Sequence, residues 1–275
     1  MIEPAQAVWL ALVQGLTEFL PVSSSAHLVL LPILADWPDQ GLAFDVAVHV
    51  GTLIAVILYL RRDLVDIVNG WLRQWSSQGR SEESHLGWLL ITATIPAVLA
   101  GLFIDDVVEM FLRDPLIIAG ATIGFALLLW WADRRRTGDR AMRQLRITDA
   151  LLIGVFQALA LIPGTSRSGI TITAGLMLGL SRETAARFSF LMSVPIIIAA
   201  GSLKAVSLAQ SGEVIPWSVF ALGVLVAFFS AWAVIALFLR FISRVGMTPF
   251  VLYRIVLGTL LLIAFWWVAR LPGSL

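Results

Sequence analysis

Three scarcities in this chain each exclude a class of protein. The chain has no cysteine, which excludes disulfide bonds and thiolate metal sites. Charged residues make up only 13% of the 275 residues and the formal net charge is +1, so the composition indicates no nucleic-acid partner. Lysine occurs once, at Lys204, and every other cationic side chain is an arginine or a histidine. The placement of these few charges therefore carries more information than their sum.

Apolar residues are abundant instead. They make up 59% of the sequence, and the mean hydropathy is +0.90, well outside the range of ordinary soluble domains. A helix of about 20 residues crosses roughly 30 Å of hydrocarbon, and six uninterrupted apolar segments are long enough to do so. We therefore predict one all-α polytopic membrane domain over residues 1–275. The six predicted spans are 44–60, 86–104, 116–132, 184–206, 217–239 and 248–269.

The loop charges predict an orientation. Arginines are concentrated in the polar stretches 61–85 and 133–149, whereas 33–43 and 105–115 are mainly acidic. Short loops rich in arginine stay on the cytoplasmic side of a membrane. We therefore expect 61–85 and 133–149 to be cytoplasmic, and the acidic connections and both chain termini to be external.

Two further apolar segments, 5–19 and 149–162, are too short for a full crossing and end at a proline. A proline disfavours helix in the residue before it and clashes with the preceding turn, so each helix should stop at Pro21 or Pro163. The chain then returns as a second short helix, which gives two re-entrant helical hairpins. The two return helices are predicted over 24–34 and 165–180. The alternative is that the prolines only kink ordinary spans.

The two hairpins also indicate an internal repeat. Aligning Pro21 with Pro163 places hydroxyl residues opposite each other, and each half then holds one hairpin and three spans. Because three is odd, the halves must lie in the membrane with opposite orientation. The prediction is an inverted-topology repeat with halves at about 1–140 and 147–275. Broken helices in such repeats place their ends near the membrane midplane, where they form a binding site.

The broken helix ends favour an anion. A helix N-terminus presents free N–H groups with about half a positive charge, and a glycine such as Gly164 lets the backbone approach a ligand closely. The serines at 23–25 and the hydroxyls of Thr165 and Ser166 would surround that ligand. Serine and threonine are also ordinary helix caps, and we expect that role for Ser23 and Thr165.

Three side chains in these segments could carry chemistry. Arg167 lies within an apolar segment, where a charge is costly, and its planar fork suits bidentate phosphate contact. Glu18 could act as a general base or hold a divalent cation. His27 follows Ser24 by three residues and shares its helix face. The structural alternatives are an Arg167–Glu18 ion pair that only joins the hairpins, and a histidine that only packs.

Two motifs in these segments resemble a known family. Residues 14–27 read QGLTEFLPVSSSAH and residues 163–169 read PGTSRSG. They are similar to the two signature motifs of the bacitracin-resistance, or undecaprenyl pyrophosphate phosphatase, family of bacterial membranes. The likeness extends over nearly the whole chain, including Phe44-Asp45 and Tyr253-Arg254.

The resemblance implies an enzyme. Members hydrolyse undecaprenyl pyrophosphate to undecaprenyl phosphate and inorganic phosphate, at the outer face of the plasma (inner) membrane, aided by Mg²⁺ or Ca²⁺. This reaction recycles the lipid carrier for cell-wall synthesis and confers bacitracin resistance. The resemblance also implies the fold predicted above, six spans with two re-entrant hairpins.

Matching the motifs position by position implies roles for individual residues. The matching positions make Glu18, Ser24, His27 and Arg167 catalytic. One position departs from the family pattern, because many members have glutamate where this chain has Gln14, and Glu18 is then the only carboxylate predicted to hold the metal. The matching also makes Gln14 and Ser166 supporting positions. Together with residues at the two helix ends described above, the predicted substrate-binding residues are Gln14, Ser23, Ser25, Gly164, Thr165, Ser166 and Ser168.

The mechanism we hypothesise has Ser24 as the nucleophile that forms a phosphoserine. His27 would move the proton, and Glu18 would orient His27 or hold the cation. Direct attack by water, with Ser24 only binding phosphate, is the alternative. Further residues predicted to line or brace the cavity are Asp45, His49, Tyr253 and Arg254.

A competing function is transport, because inverted repeats with broken helices are the architecture of secondary transporters. A carrier that flips undecaprenyl phosphate would need the anion site without reacting groups. Under either function the partners are the polyprenyl lipid and the bilayer, with no nucleic acid. Self-association as a homodimer is left open by the sequence.

Overall fold

The computed structural model of the chain describes residues 2–76, 79–111, 115–211 and 216–268. Within these ranges the fold is all-helical, and the only β-type contact is a single bridge between Arg140 and Leu180. The helices are α1 (Pro4–Thr17), α2 (Ser24–Ala35), α3 (Gly41–Tyr59), α4 (Arg61–Arg73), α5 (Glu82–Phe111), α6 (Pro115–Arg135), α7 (Ile147–Ala158), α8 (Arg167–Met177), α9 (Arg182–Ser211), α10 (Trp217–Val245) and α11 (Thr248–Val268).

Six of these helices, α3, α5, α6, α9, α10 and α11, are long and apolar enough to cross a membrane. They coincide with the six spans predicted from hydropathy. Large apolar side chains such as Phe103, Leu203 and Phe229 project outward from them, which suits a lipid surround. The chain is therefore a multi-pass membrane protein.

The two predicted helix stops are present as breaks. The first break runs from Glu18 to Ser23, between α1 and α2. The second runs from Leu159 to Ser166, between α7 and α8, and begins with one turn of 3₁₀-helix. The two prolines lie inside these breaks, as their effect on helical backbone requires.

The first arm of each broken pair packs against a long helix at a glycine. A Cβ on Gly15 of α1 would lie 1.9 Å from Ser230 Oγ of α10, and a Cβ on Gly154 of α7 would lie 2.6 Å from Ala93 O of α5. Any larger side chain would push the helices apart. Both breaks are thus held at a fixed depth against long apolar helices.

Ion pairs tie the arginine-rich side of the protein together. Arg182 of α9 makes a bidentate pair with the buried Asp133 of α6, at 2.6 and 3.0 Å. Nη2 of Arg187, also on α9, contacts both carboxylate oxygens of Asp63 on α4, at 2.8 and 2.7 Å. These contacts fix α9, which borders the cavity described below, relative to α4 and α6.

Two connections differ from the prediction. Residues 61–85, expected to be a polar connection, contain the helix α4, because Leu64, Ile67 and Trp71 recur at helical spacing. That face packs against α5, and the arginines occupy the other faces. The acidic connection expected at 105–115 is shorter than predicted, since α5 continues to Phe111, and positions 112–114 lie outside the described residues.

Candidate active site

The two helix breaks meet through an ion pair between Glu18 and Arg167. Glu18 follows the last residue of α1, and Arg167 is the first residue of α8. Nη2 of Arg167 donates to Oε1 of Glu18 at 3.0 Å. Only 8% of Glu18 is exposed. A carboxylate so buried requires a charged or strongly donating partner, and Arg167 supplies one.

The second oxygen of the Glu18 carboxylate collects the remaining polar groups of the first break. Oε2 accepts a hydrogen bond from Ser24 Oγ at 2.7 Å and another from Gln14 Nε2 at 3.0 Å. His49 Nε2 lies 3.8 Å from the same oxygen. The hydroxyl proton of Ser24 therefore points directly at a carboxylate, which is the arrangement that activates a serine hydroxyl.

The guanidinium of Arg167 is fixed from two further directions. Nη1 donates to the carbonyl oxygen of Ser189 on α9 at 3.1 Å, and the group lies 6.0 Å from the ring centre of Phe19. An arginine has five N–H donors, and two of them have partners among the described residues. The remaining donors are available to an anion in the adjoining cavity.

Hydroxyl groups organise both breaks, and one of them joins the two. Ser168 Oγ donates to the carbonyl oxygen of Leu20 at 2.8 Å, so the start of α8 is tied to the first break. Ser166 Oγ accepts from Gly169 N at 3.2 Å and caps α8. Ser166 therefore performs the capping role predicted for Thr165, and Ser23, also predicted to cap, makes no such bond. Ser23 and Ser25 instead lie with their Oγ atoms 3.2 Å apart.

Both return helices start from a serine in an unusual backbone conformation. Ser23 has φ +74° and Ser166 has φ +70°. Positive φ is uncommon outside glycine, and such strained residues cluster at ligand-binding sites. The same conformation at equivalent points of the two breaks indicates that both turns contribute to one ligand-binding site.

His27 is directed away from Ser24. Its Nδ1 lies 2.7 Å from the carbonyl oxygen of Ser23, which can only accept, so Nδ1 carries the proton. Nε2 then accepts from Oη of Tyr253 at 2.5 Å. The predicted orientation of His27 by Glu18 is therefore wrong in its geometry, because the two ring nitrogens are engaged elsewhere. The histidine close to Glu18 is His49, which was predicted only to line or brace the cavity.

The loop 163–165 is held from behind by Arg254. This residue is fully buried, and its Nη2 donates to the carbonyl oxygens of Gly164 and Thr165 at 3.0 and 2.9 Å. Gly164 has φ +91°, and a Cβ there would lie 2.4 Å from Ile118 O, so only glycine fits. Arg254 thus braces the second break and does not line the cavity.

A cavity of about 420 Å³ opens beside the ion pair and has two chemically different ends. The polar end contains Glu18, Ser23, Ser24, Ser25, Asp45, His49, Ser166 and Arg167. The other end is walled by apolar side chains of α5, α7 and α9, including Val98, Leu161, Ile196 and Ile197. Four predicted binding residues, Gln14, Gly164, Thr165 and Ser168, lie behind the wall and support those that line it. Such a cavity suits an amphiphile with an anionic head and an apolar tail.

A second, more open cavity of about 580 Å³ lies in the arginine-rich segment, between Arg140 and Asp149. Arg140 there is already bonded to Asp149 at 2.7 Å and to the carbonyl oxygens of Leu178 and Gln144. Its polar groups satisfy one another, and the cavity has no apolar extension. The chemistry therefore points to the smaller cavity.

The described residues contain no group of three or more carboxylate, histidine or cysteine side chains that could hold a metal by themselves. Two oxygen ligands are nevertheless adjacent, the Glu18 carboxylate and Oε1 of Gln14, which is buried without a hydrogen-bond partner. Mg²⁺ commonly takes one or two protein oxygens and completes its shell with substrate phosphates and water. The donor set fits a cation that arrives with a phosphorylated substrate.

Two contributors to the site were missed in the sequence. Ser189 acts through its backbone carbonyl, which has no signal in the sequence. Gln157 lines the cavity and is 1% exposed. A polar side chain within the apolar segment 149–162 was a signal for Gln157, comparable to the one that identified Glu18.

Fold and site together define a multi-pass membrane protein in which two broken helix pairs enclose a polar cavity that continues into an apolar one. The chain belongs to the bacitracin resistance protein BacA family, whose model matches residues 7–260. It is 55% identical over 262 residues to the undecaprenyl-diphosphatase of Chromohalobacter salexigens, covering 95% of this chain and 98% of that protein. It is 56% identical over 258 residues to the undecaprenyl-diphosphatase of Hahella chejuensis, covering 94% and 97%.

Proposed function

We propose that this chain hydrolyses undecaprenyl pyrophosphate to undecaprenyl phosphate and inorganic phosphate. The observation that carries the proposal is the contact of Glu18 with both Ser24 and Arg167 at the polar end of a cavity that continues between apolar helices. A base, a hydroxyl nucleophile and a guanidinium are the groups that phosphoryl transfer needs. The reaction recycles the lipid carrier for cell-wall synthesis, and its product pool accounts for resistance to bacitracin.

In the substrate complex, the pyrophosphate occupies the polar end and the polyprenyl chain follows the apolar wall. Arg167 provides the remaining guanidinium donors, and the strained turn at Ser23 presents the first N–H groups of α2. The apolar wall is formed by Val98, Leu161 and Ile196. Burying the tail there excludes water from the reacting phosphate, which strengthens the electrostatic contribution of Arg167.

Chemistry begins at Ser24. Its Oγ attacks the terminal phosphorus, its proton passes to Glu18 Oε2, and the bond from phosphorus to the bridging oxygen breaks to release undecaprenyl phosphate. Water then attacks the phosphoserine, the bond from phosphorus to Oγ breaks, and the proton held by Glu18 returns to Ser24. Glu18 takes one proton from the attacking water and releases it to solvent, which restores the carboxylate. Arg167 stabilises the charge that develops on the phosphoryl oxygens. Direct attack by water, with Glu18 as its base, remains the alternative route.

His27 acts indirectly, by holding the turn that precedes Ser24. It clamps the carbonyl oxygen of Ser23 and is itself held by Tyr253, so it sets the shape of the turn that carries Ser24. This role replaces the direct proton transfer expected from the sequence.

A divalent cation, Mg²⁺ or Ca²⁺, is proposed as the cofactor. Glu18 and Oε1 of Gln14 would hold it together with the substrate. When bound, the cation neutralises charge on the pyrophosphate and so favours both binding and transfer. The residue at position 14 is neutral in this chain, so the affinity without substrate is expected to be low.

We also propose that the fold is an inverted repeat with two re-entrant hairpins, with halves at about 1–140 and 147–275. Helix contacts support it, because each half packs on the other in the same way. Helices α1 and α3 of the first half pack on α10 of the second half. The corresponding helices α7 and α9 of the second half pack on α5 of the first. The paired positive-φ serines, Ser23 and Ser166, give the same correspondence.

The arginine-rich segments support an inner-membrane location with the cavity facing the outer side, since those segments stay in the cytoplasm. The released product is then a phosphate outside the cell. A homodimer is compatible with this arrangement, and the site as proposed is complete within one chain.

Transport of a polyprenyl phosphate is the second candidate, and the matched helix contacts favour it because they are typical of carriers. Purified protein in detergent, supplied with undecaprenyl pyrophosphate and Mg²⁺, separates the two functions. We expect phosphate release, since hydrolysis needs no membrane sides. Protein that binds the lipid and releases no phosphate would support the carrier and contradict the phosphatase.

A further inference from the structure

Gln157 lines the catalytic cavity and has a buried hydrogen-bond acceptor without a partner. The residue is in the last turn of α7, lines the cavity and is 1% exposed. Its Nε2 donates to the carbonyl oxygen of Ala93 on α5 at 3.1 Å, and its Oε1 is buried without a partner. Because a carbonyl can only accept, the atom that contacts Ala93 must be the nitrogen, which leaves Oε1 as the unused acceptor.

A purely structural role does not account for this side chain. Gly154, one turn earlier, already holds α7 against Ala93, since a Cβ there would lie 2.6 Å from the Ala93 carbonyl oxygen. A buried amide oxygen without a partner costs desolvation free energy, so a leucine of similar size would pack at lower cost. Among the described residues, the other buried polar atoms without partners belong to side chains that do not line the cavity. Gln157 is therefore the one of these side chains that lines the cavity itself.

The chemistry of an amide oxygen limits what that ligand can be. Oε1 only accepts hydrogen bonds, and the oxygens of an ionised pyrophosphate are acceptors too. The partner must be a donor, and the donor that the proposed reaction brings into this cavity is water. An uncharged acceptor also takes no proton, so it orients water without competing with Glu18 as the base.

We infer that Gln157 is a water-positioning residue: its Oε1 accepts a hydrogen bond from the water molecule that attacks phosphorus. The inference rests on the proposed phosphatase function. Water oxygen forms the new bond to phosphorus, the bond to Ser24 Oγ breaks, and one water proton passes to Glu18 as the serine regains its own. In the direct route the bond that breaks is the one to the bridging oxygen. Gln157 is unchanged in either case.

The test is a competition between water and methanol for the phosphoryl group. Wild type, Gln157→Leu and Gln157→Met are purified in detergent, and inorganic phosphate and methyl phosphate are measured with undecaprenyl pyrophosphate and Mg²⁺. Wild type should give inorganic phosphate almost exclusively. The variants should lose between about tenfold and a hundredfold in kcat, with KM little changed, because the attacking water is no longer held in line. The methyl phosphate fraction should rise several-fold.

Gln74→Leu is the control. Its Nε2 also donates to a backbone carbonyl, that of Trp71 at 2.8 Å, but the residue lies beyond the end of α4 and does not line the cavity. The control should keep the wild-type product ratio. A product ratio in the Gln157 variants equal to that of wild type, or a rise in KM alone, overturns the inference. If Gln157→Leu fails to fold in a thermal melt, the nearly isosteric Gln157→Met carries the test. A wild-type protein that releases no phosphate would contradict the proposed function itself, before any ratio is compared.

Discussion

Glu18 and Arg167 are 149 residues apart in the sequence, yet Arg167 Nη2 lies 3.0 Å from Glu18 Oε1. This contact joins a break in one half of the chain to a break in the other. The same carboxylate accepts a hydrogen bond from the Ser24 hydroxyl through its second oxygen. The pair therefore joins the two breaks and also lies at the polar end of the cavity, so the structural and the catalytic interpretation of the pair are compatible.

Arg167→Lys tests the need for the guanidinium. Lysine keeps the charge but cannot contact Glu18, the Ser189 carbonyl oxygen and a phosphate at once, because it lacks the planar fork. We expect kcat/KM for phosphate release to fall by about a hundredfold or more. Arg187→Lys is the matched control, since Arg187 lies on the neighbouring helix in an ion pair with Asp63, away from the cavity. Equal losses in the two variants would contradict a specific role for Arg167.

The Glu18–Arg167 pair should also contribute to stability in a non-additive way. Removing one partner leaves a buried charge uncompensated, which costs about 3–5 kcal/mol in typical proteins, whereas removing both leaves none. Thermal melts in detergent should therefore rank Glu18→Gln and Arg167→Met each below the double variant. All three should be inactive in phosphate release. Additive losses of stability would argue against a coupled buried pair.

Tyr253→Phe tests the indirect role of His27. The change removes only the hydroxyl that His27 Nε2 accepts from, so His27 can rotate and loosen the turn before Ser24. We expect kcat to fall by about tenfold with KM nearly unchanged, because the nucleophile is misplaced and the binding groups remain. Tyr59→Phe is the control, since Tyr59 is the only other tyrosine of the chain. A loss confined to KM would indicate that Tyr253 contacts substrate instead.

Gln14→Glu tests the cation proposal. A second carboxylate beside Glu18 should strengthen binding of a divalent cation, because hard cations prefer charged oxygen ligands. Titration of activity with Mg²⁺ should reach half saturation at a concentration lower by about tenfold than in wild type, and chelator should abolish activity in both. An unchanged Mg²⁺ requirement would remove Gln14 from the proposed ligand set.

Much of the fold could be predicted because its signals are local. Uninterrupted apolar runs predicted the six spans, and Pro21 and Pro163 predicted the helix breaks, since a proline acts on its own turn. Glu18 and Arg167 could be paired in advance for a different reason. Two opposite charges in apolar surroundings have few other ways to be compensated.

The errors arise where the structure depends on contacts between distant segments. The partner of His27 is Tyr253, which is 226 residues away and was predicted only to line or brace the cavity, with no sign of a contact to His27. The second anchor of Arg167 is a backbone carbonyl, that of Ser189, which any residue could provide. The helix α4 was missed because its arginines suggested a polar loop. Its apolar residues recur on one face of a helix, which was the signal for it.

The most direct test of the account is a single-turnover reaction with undecaprenyl pyrophosphate labelled in its terminal phosphate, quenched during turnover. We compare wild type, Ser24→Ala and Ser230→Ala; Ser230 bonds only to carbonyl oxygens of its own helix. The account predicts label on Ser24 in wild type and in Ser230→Ala, with phosphate release in both, and neither label nor release in Ser24→Ala. Phosphate release by Ser24→Ala at the wild-type rate would contradict the claim that these two helix breaks build a serine-dependent phosphatase.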